Sequence, residues 1–160
     1  MGFIFKQESD LIITLKKQHV IILRYLDNFN PFLQGKSFSV TNCIVSLREI
    51  KNILVTHLML EDDKLYPALE SSKVKKIRDI GRKFSSEMQL ISEQTFDFFN
   101  KYNQIKTLDL GGGAFKKNLY DLKEKIINRV NLEEKMLYPL YEQNPLMTEK
   151  EKKYFRIKER

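Results

Sequence analysis

The chain has 160 residues, enough for one domain with a sizeable core, and its 42% hydrophobic and 31% charged residues make an ordinary soluble balance. No uncharged run approaches the roughly 20 residues that a membrane-spanning helix needs, and a single cysteine, Cys43, excludes an internal disulfide and suits a reducing compartment. The net charge of +7 is spread along the chain, densest at 73–78 and 149–160, as on solvated helix faces, so nucleic acid is not the expected partner. The opening "MGFIFKQESD" has no secretory h-region, and Lys6 stands where a myristoylation signal expects Ser or Thr, so the expected location is cytoplasmic.

Apolar residues recur at helical steps from one end of the chain to the other. Ile12, Leu15, His19, Ile22, Leu26 and Phe29 form the first stripe, followed by a loop at "NPFLQGKS", marked by Pro31 and Gly35. Thr41 is the expected N-cap of a second helix with the stripe Cys43, Leu47, Ile50, Leu54, His57, Glu61 and Leu65, which Pro67 should end or kink within a turn. The third stripe runs through Val74, Ile77, Gly81, Phe84, Met88, Ile91, Thr95, Phe98 and Tyr102. "GGG" at 111–113 is the clearest break; no strand precedes it and phosphate-loop spacing is absent, so it reads as a hinge or turn. The fourth stripe is Phe115, Leu119, Leu122, Ile126, Arg129, Glu133 and Leu137, with Pro139 as its stop. Thr148 and Glu151 have capping-box spacing for a short last helix, to which Phe155 and Ile157 offer a little apolar surface for covering one end.

Four such helices with short connections predict an all-α, up-down-up-down four-helix bundle with a short C-terminal helix, a single domain over 1–160 with its core at about 8–142 and a helical tail at 148–160. His19, His57, Glu61, Arg129 and Glu133 interrupt the otherwise apolar stripes, and buried charges need partners. His57 and Glu61, like Arg129 and Glu133, are four apart and share a helix face. A repeat orders these positions: "HLMLEDDKLYP" and "RVNLEEKMLYP" superpose at an offset of 72, with Tyr66 on Tyr138, Glu61 on Glu133 and His57 on Arg129. An offset of 69 sets His19 on Met88. The chain thus reads as two helical hairpins, one offering His19, His57 and Glu61, the other Met88, Arg129 and Glu133.

This pattern resembles the hemerythrin-like, HHE cation-binding family, in which each hairpin gives a His and then His-x-x-x-Glu just before a Leu/Phe-Tyr/Phe-Pro end; the resemblance covers roughly residues 8–142. It implies a bacterial four-helix bundle of a family whose members hold a non-haem di-iron centre and serve in oxygen or nitric-oxide binding, iron or redox sensing, or repair of damaged iron centres; here the implied role is oxygen, nitric-oxide or iron binding or sensing. Carried over, the metal ligands fall on His19, His57, Glu61 and Glu133, while Met88 and Arg129 occupy two positions where the family has histidine. Iron is the implied cofactor, with zinc or manganese fitting the same donors, at one or no ion per chain. Four readings stay open. His19, His57 and Glu61 can supply two imidazoles and a carboxylate to one ion, with Glu133 as a fourth or bridging ligand. Alternatively Arg129, which cannot ligate, pairs with Glu61 or Glu133 in a metal-free network. A third reading combines both, with one ion at His19, His57 and Glu61 and Arg129 neutralising Glu133, and a fourth is a dinuclear centre that uses unexpected ligands.

Helix four also resembles the corresponding helix of bacterial sigma-factor-binding regulators of the Rsd/AlgQ type, which implies the alternative function of a metal-free module with a protein partner. The remaining residues read as structure: Met88 as core filler, Cys43 as a buried small hydrophobe, and Tyr66 and Tyr138 as packing at the bundle end, though a tyrosine near iron could tune or ligate it. No nucleophile or acid–base pair is visible, so any turnover would be metal-centred.

Overall fold

The computed structural model describes residues 8–36, 38–104 and 113–158. Among these, helix is the only regular structure. Helix α1 spans Asp10–Asp27, α2 Asn30–Leu33, α3 Val40–Leu60, α4 Tyr66–Glu70, α5 Lys75–Lys101, α6 Ala114–Leu132, α7 Tyr138–Gln143 and α8 Glu149–Lys158. The long helices α1, α3, α5 and α6 close a ring in chain order, α1 against α3, α3 against α5, α5 against α6 and α6 back against α1. This is the up-down-up-down bundle that the stripes predict, and none of its helices is long and apolar enough to cross a membrane.

Each stripe does turn inward. Ile12, Leu15, Ile22, Leu26, Cys43, Leu47, Ile50, Phe84, Phe98, Phe115, Leu119 and Leu137 are all buried, each worth about 1.5–3 kcal/mol for a fully buried large aliphatic or aromatic side chain. The core divides into two apolar clusters. One runs from Ile22 and Leu26 to Phe98, Phe115 and Val130; the other gathers Ile12, Leu15, Leu65, Leu69, Phe84, Leu137 and Tyr138. Between them lies a layer of buried polar side chains. Cys43 is wholly buried in the first cluster, and burial pushes its thiol up to about 12, as expected of an inert core residue.

Local details depart from the sequence reading in four places. The segment after α1 holds a helical turn, α2, with Pro31 in its first positions where no N–H is needed. The N-cap of α3 is Ser39, not Thr41: Ser39 has extended backbone and its hydroxyl accepts the Asn42 N–H at 3.3 Å, so Thr41 already lies inside the helix. Val74 precedes α5 as its half-exposed N-cap instead of packing inside. The capping box at Thr148 and Glu151 forms, but Ile157 is 68% exposed, so that side chain covers nothing; the Phe155 side chain lies outside the described residues. Of the three glycines, Gly113 caps α6 at a φ of 82°, and Gly111 and Gly112 lie outside the described residues.

Both Leu-Tyr-Pro repeats share an unforeseen backbone feature. Glu61–Leu65 and Glu133–Leu137 are π-helical turns, so α3 runs through one into α4 and α6 through the other into α7. A proline lacks an N–H and crowds the carbonyl four residues back. The wider turn shifts the hydrogen-bond register by one residue, and the α-helix resumes with Pro67 or Pro139 in its first turn. Pro67 therefore ends its helix within a turn, at Glu70, whereas α7 continues a full turn past Pro139. The two resumed segments pack together and close this end of the bundle. Ser71 and Pro145 carbonyls accept the Met147 and Lys73 N–H groups at 2.9 Å, and Ser9 Oγ donates to Glu142 at 2.7 Å. Gly81 lets α5 approach α4: a Cβ there would lie 2.8 Å from that of Leu69.

Candidate metal centre

The two histidines meet near the middle of the bundle, just below this closed end. His19 and His57 are 1% and 3% exposed, with ring centroids 4.6 Å apart. Their Nε2 atoms turn toward the same carboxylate oxygen, Glu133 Oε1, at 3.1 Å from His19 and 3.6 Å from His57. One donor atom from each of His19, His57 and Glu133 falls within 4.8 Å of the others. Glu61 joins from one turn along α3, its Oε1 at 3.3 Å from His57 Nε2. All four residues of the expected set are thus brought together. The carboxylate shared by both rings, however, is Glu133 from the second hairpin and not Glu61.

The far sides of the rings are held as well. His57 Nδ1 lies 2.8 Å from Gln18 Oε1, an acceptor, so this nitrogen carries a proton and donates. Nε2 of the same ring then faces two carboxylates, an arrangement that demands positive charge. In the chain alone a second proton provides it. Burial opposes the imidazolium, but the adjacent Glu133 and Glu61 carboxylates outweigh burial and hold His57 at about 9. Burial, then the Glu133 charge, pushes Glu61 up to about 7 against the pull of His57. Glu133 behaves oppositely: burial would raise it, yet the bonds from His19 and His57 hold it well below the usual carboxylate range.

Arg129 completes the layer. It is 5% exposed and its guanidinium donates from Nε to Glu133 Oε2 at 3.2 Å and from Nη2 to the Tyr66 hydroxyl and the Phe84 carbonyl, each at 3.0 Å. It also stacks over the Phe84 ring, 4.7 Å from the centroid. Of the two partners open to it from the sequence, it takes Glu133; no direct pair with Glu61 occurs among the described contacts. Met88 is buried, and with His19, His57, Arg129 and Glu133 it lines a cavity of about 20 Å³, space for one water-sized molecule.

The tyrosines do more than pack. Tyr66 and Tyr138 are buried near the bundle end as expected, but their hydroxyls belong to the polar layer. Tyr66 accepts from Arg129, while Tyr138 Oη lies 3.2 Å from His19 Nε2 and donates to Glu61 Oε2 at 3.4 Å. Burial, then the charges of the two buried glutamates, raises both phenols. Sequence reasoning also missed Gln18, which stands one step off the α1 stripe and carries no spacing signal.

Do these residues suit a cation? Three buried side-chain atoms among the described residues lack hydrogen-bond partners, and two of them are in this site: His19 Nδ1 and Glu61 Oε1. His19 Nδ1 faces Glu134 Oε2 at 3.6 Å without a hydrogen bond. A cation among the Nε2 atoms and carboxylates would leave the His19 proton on Nδ1, facing Glu134, and give Glu61 Oε1 a partner. The imidazole and carboxylate donors are those of iron, zinc and manganese sites, and Gln18 supplies the outer hydrogen bond that orients a ligating histidine. The residues fit. Against known proteins, a family model described as "Hemerythrin HHE cation binding domain" matches residues 10–141. A search of curated proteins and one of solved structures found no match.

Proposed function

Because this chain belongs to the hemerythrin HHE cation-binding family, we propose that it holds a single metal ion, iron by family expectation, through His19, His57, Glu133 and Glu61, and serves in oxygen, nitric-oxide or iron binding or sensing. The observation that carries this is the pair of buried Nε2 atoms facing one carboxylate oxygen, with Gln18 holding His57 from behind. A bound iron supplies reversible redox change and open positions for a small ligand. The chain supplies the rest. Gln18 fixes the His57 ring and its tautomer, and the two apolar clusters exclude bulk water. The cavity beside Met88 has space for one water-sized molecule next to the histidines. Arg129 places a permanent positive charge in the second hairpin, at the position matching His57 in the repeat, which disfavours a second cation there.

Arg129 also favours a second reading. Its bonds to Glu133, Tyr66 and the Phe84 carbonyl satisfy the layer in part without metal, as a metal-free interaction module requires. Elemental analysis separates the two. Chain purified without a chelating column and loaded anaerobically with ferrous iron should carry about one ion. His57→Ala and Glu133→Ala should each abolish uptake, since each removes a donor from the shared corner. Two irons per chain would overturn the single-ion reading, and none at all would select the metal-free module.

A further inference from the structure

The two tyrosines that end the repeats occupy equivalent backbone positions but face different chemistry. In an α-helix, residues five apart stand about 140° apart around the axis, so Tyr138 would point away from Glu133. The π-turn removes that separation: the Tyr138 N–H bonds the Glu133 carbonyl five residues back, as the Tyr66 N–H bonds that of Glu61. Both hydroxyls are thereby swung into the polar layer. Arg129 draws the Tyr66 hydroxyl to itself. Tyr138 is left among the metal donors, its ring stacked on that of His19 with an interplanar angle of 14°.

Five side chains then form a closed circuit. His19 Nε2 lies 3.1 Å from Glu133 Oε1, which lies 3.6 Å from His57 Nε2; His57 Nε2 is 3.3 Å from Glu61 Oε1. Glu61 Oε2 is 3.4 Å from Tyr138 Oη, which returns to His19 Nε2 at 3.2 Å. Two donors set at right angles about 2.1 Å from one ion are about 3 Å apart. Each edge of the circuit is near that span, so the five groups surround one ion with small adjustments. A hydroxyl that merely filled space would not need to touch both a ligand nitrogen and a ligand carboxylate.

We propose that Tyr138 is itself a metal ligand, making a two-histidine, two-carboxylate, one-phenolate site suited to ferric iron. The inference rests on the single-ion reading above. As the iron–oxygen bond forms, the phenolic O–H is broken and its proton leaves to solvent; no electron is transferred. Three hard anionic oxygens match the charge of a trivalent ion, and they replace donors that Met88 and Arg129 do not provide.

The test uses the full chain loaded with ferric iron. The expected result is a phenolate-to-iron charge-transfer band in the visible, with tyrosinate vibrations in resonance Raman spectra excited within it. Tyr138→Phe, which keeps the ring and its stacking on His19, should lose the band and weaken zinc binding at least tenfold; Tyr66→Phe should keep the band. Iron-loaded parent without the band, or Tyr138→Phe with it, overturns phenolate ligation and leaves the single-ion site standing. A parent that takes up no metal overturns both. Should Tyr138→Phe fail to fold, the Raman spectra of the parent and of Tyr66→Phe, with ring-deuterated tyrosine shifting the bands in both, decide: tyrosinate bands kept in Tyr66→Phe support Tyr138, and bands lost there overturn it.

Discussion

Replacing Arg129 by alanine probes how the polar layer is held together. The side chain is almost wholly buried and makes three hydrogen bonds, to Glu133, Tyr66 and the Phe84 carbonyl. Its fourth neighbour, Glu87 at 3.7 Å, is 46% exposed and adds little. Breaking a buried ion pair from one side costs about 3–5 kcal/mol, because the remaining charge stays buried. Here the lower end applies: Glu133 keeps His19 and His57, so only its Oε2 loses a partner. Loss of the Phe84 stacking and the stranding of the Tyr66 hydroxyl add to the cost, and water entering the vacated space subtracts from it. The expected loss is about 3 kcal/mol.

The assay is urea unfolding of chelator-treated protein at neutral pH. With a slope near 2 kcal/mol per M, the midpoint should fall by about 1.5 M. Arg129→Met, which fills most of the volume but restores no charge, should recover only the packing share. A midpoint shift below about 0.5 M for Arg129→Ala would mean that the guanidinium contributes no net stabilisation, and the pairing with Glu133 would lose its assigned weight.

Two further outcomes follow from the same layer. Met88 and Arg129 line one cavity beside the histidines, so Met88→His with Arg129→His, which restores two imidazoles and removes a positive charge, should take up more metal than the parent under identical loading; unchanged content by elemental analysis would refute this. The chelator-treated chain should also lose stability with rising pH. His57 sits at about 9 when folded against 6.5 for the free side chain, so its contribution is full below about pH 6.5 and is lost as pH rises through 9. Glu61, raised from 4.5 to about 7, works in the same direction over its own window, whereas the depressed Glu133 contributes above about pH 4.5 and loses that only in acid. The unfolding free energy from urea curves should therefore fall by a few kcal/mol, roughly 2–3, between about pH 6 and about pH 9, and His57→Gln should flatten the slope.

The stripes carried most of the fold. Leu15, Ile22, Leu54, Phe84, Leu119 and Ile126 repeat at helical steps with little ambiguity, and the same steps put His19, His57, Glu61, Arg129 and Glu133 inside. What periodicity could not carry was the change of period. A π-turn inserts one residue into a single turn, and a stripe counted in threes and fours passes over it. The visible trace was a proline six residues after a core glutamate, twice. Without that turn the tyrosines read first as packing, with tuning or ligation of iron as the alternative, since five residues of α-helix carry Tyr138 off the face of Glu133. Gln18 was illegible for another reason: its role depends on the pose of His57 across the α1–α3 interface, which no spacing within α1 encodes.

The asymmetry between the repeats explains why Glu133 became the shared carboxylate. In the first hairpin Glu61 sits one turn from an imidazole and directs Oε1 to it at 3.3 Å. In the second hairpin the residue one turn away is Arg129, which takes Glu133 Oε2 at 3.2 Å and so fixes the carboxylate plane. The other oxygen, Oε1, is then directed away from its own helix, toward the histidines of the first hairpin. Arg129 therefore does more than occupy a lost ligand position. By holding one oxygen it aims the other, and the loss of an imidazole in one half becomes an added carboxylate for the other half. The polar layer belongs to both hairpins jointly, so Arg129→Ala, which releases Glu133 Oε2 and supplies no imidazole in its place, should disturb the histidine corner as much as loss of a ligand does.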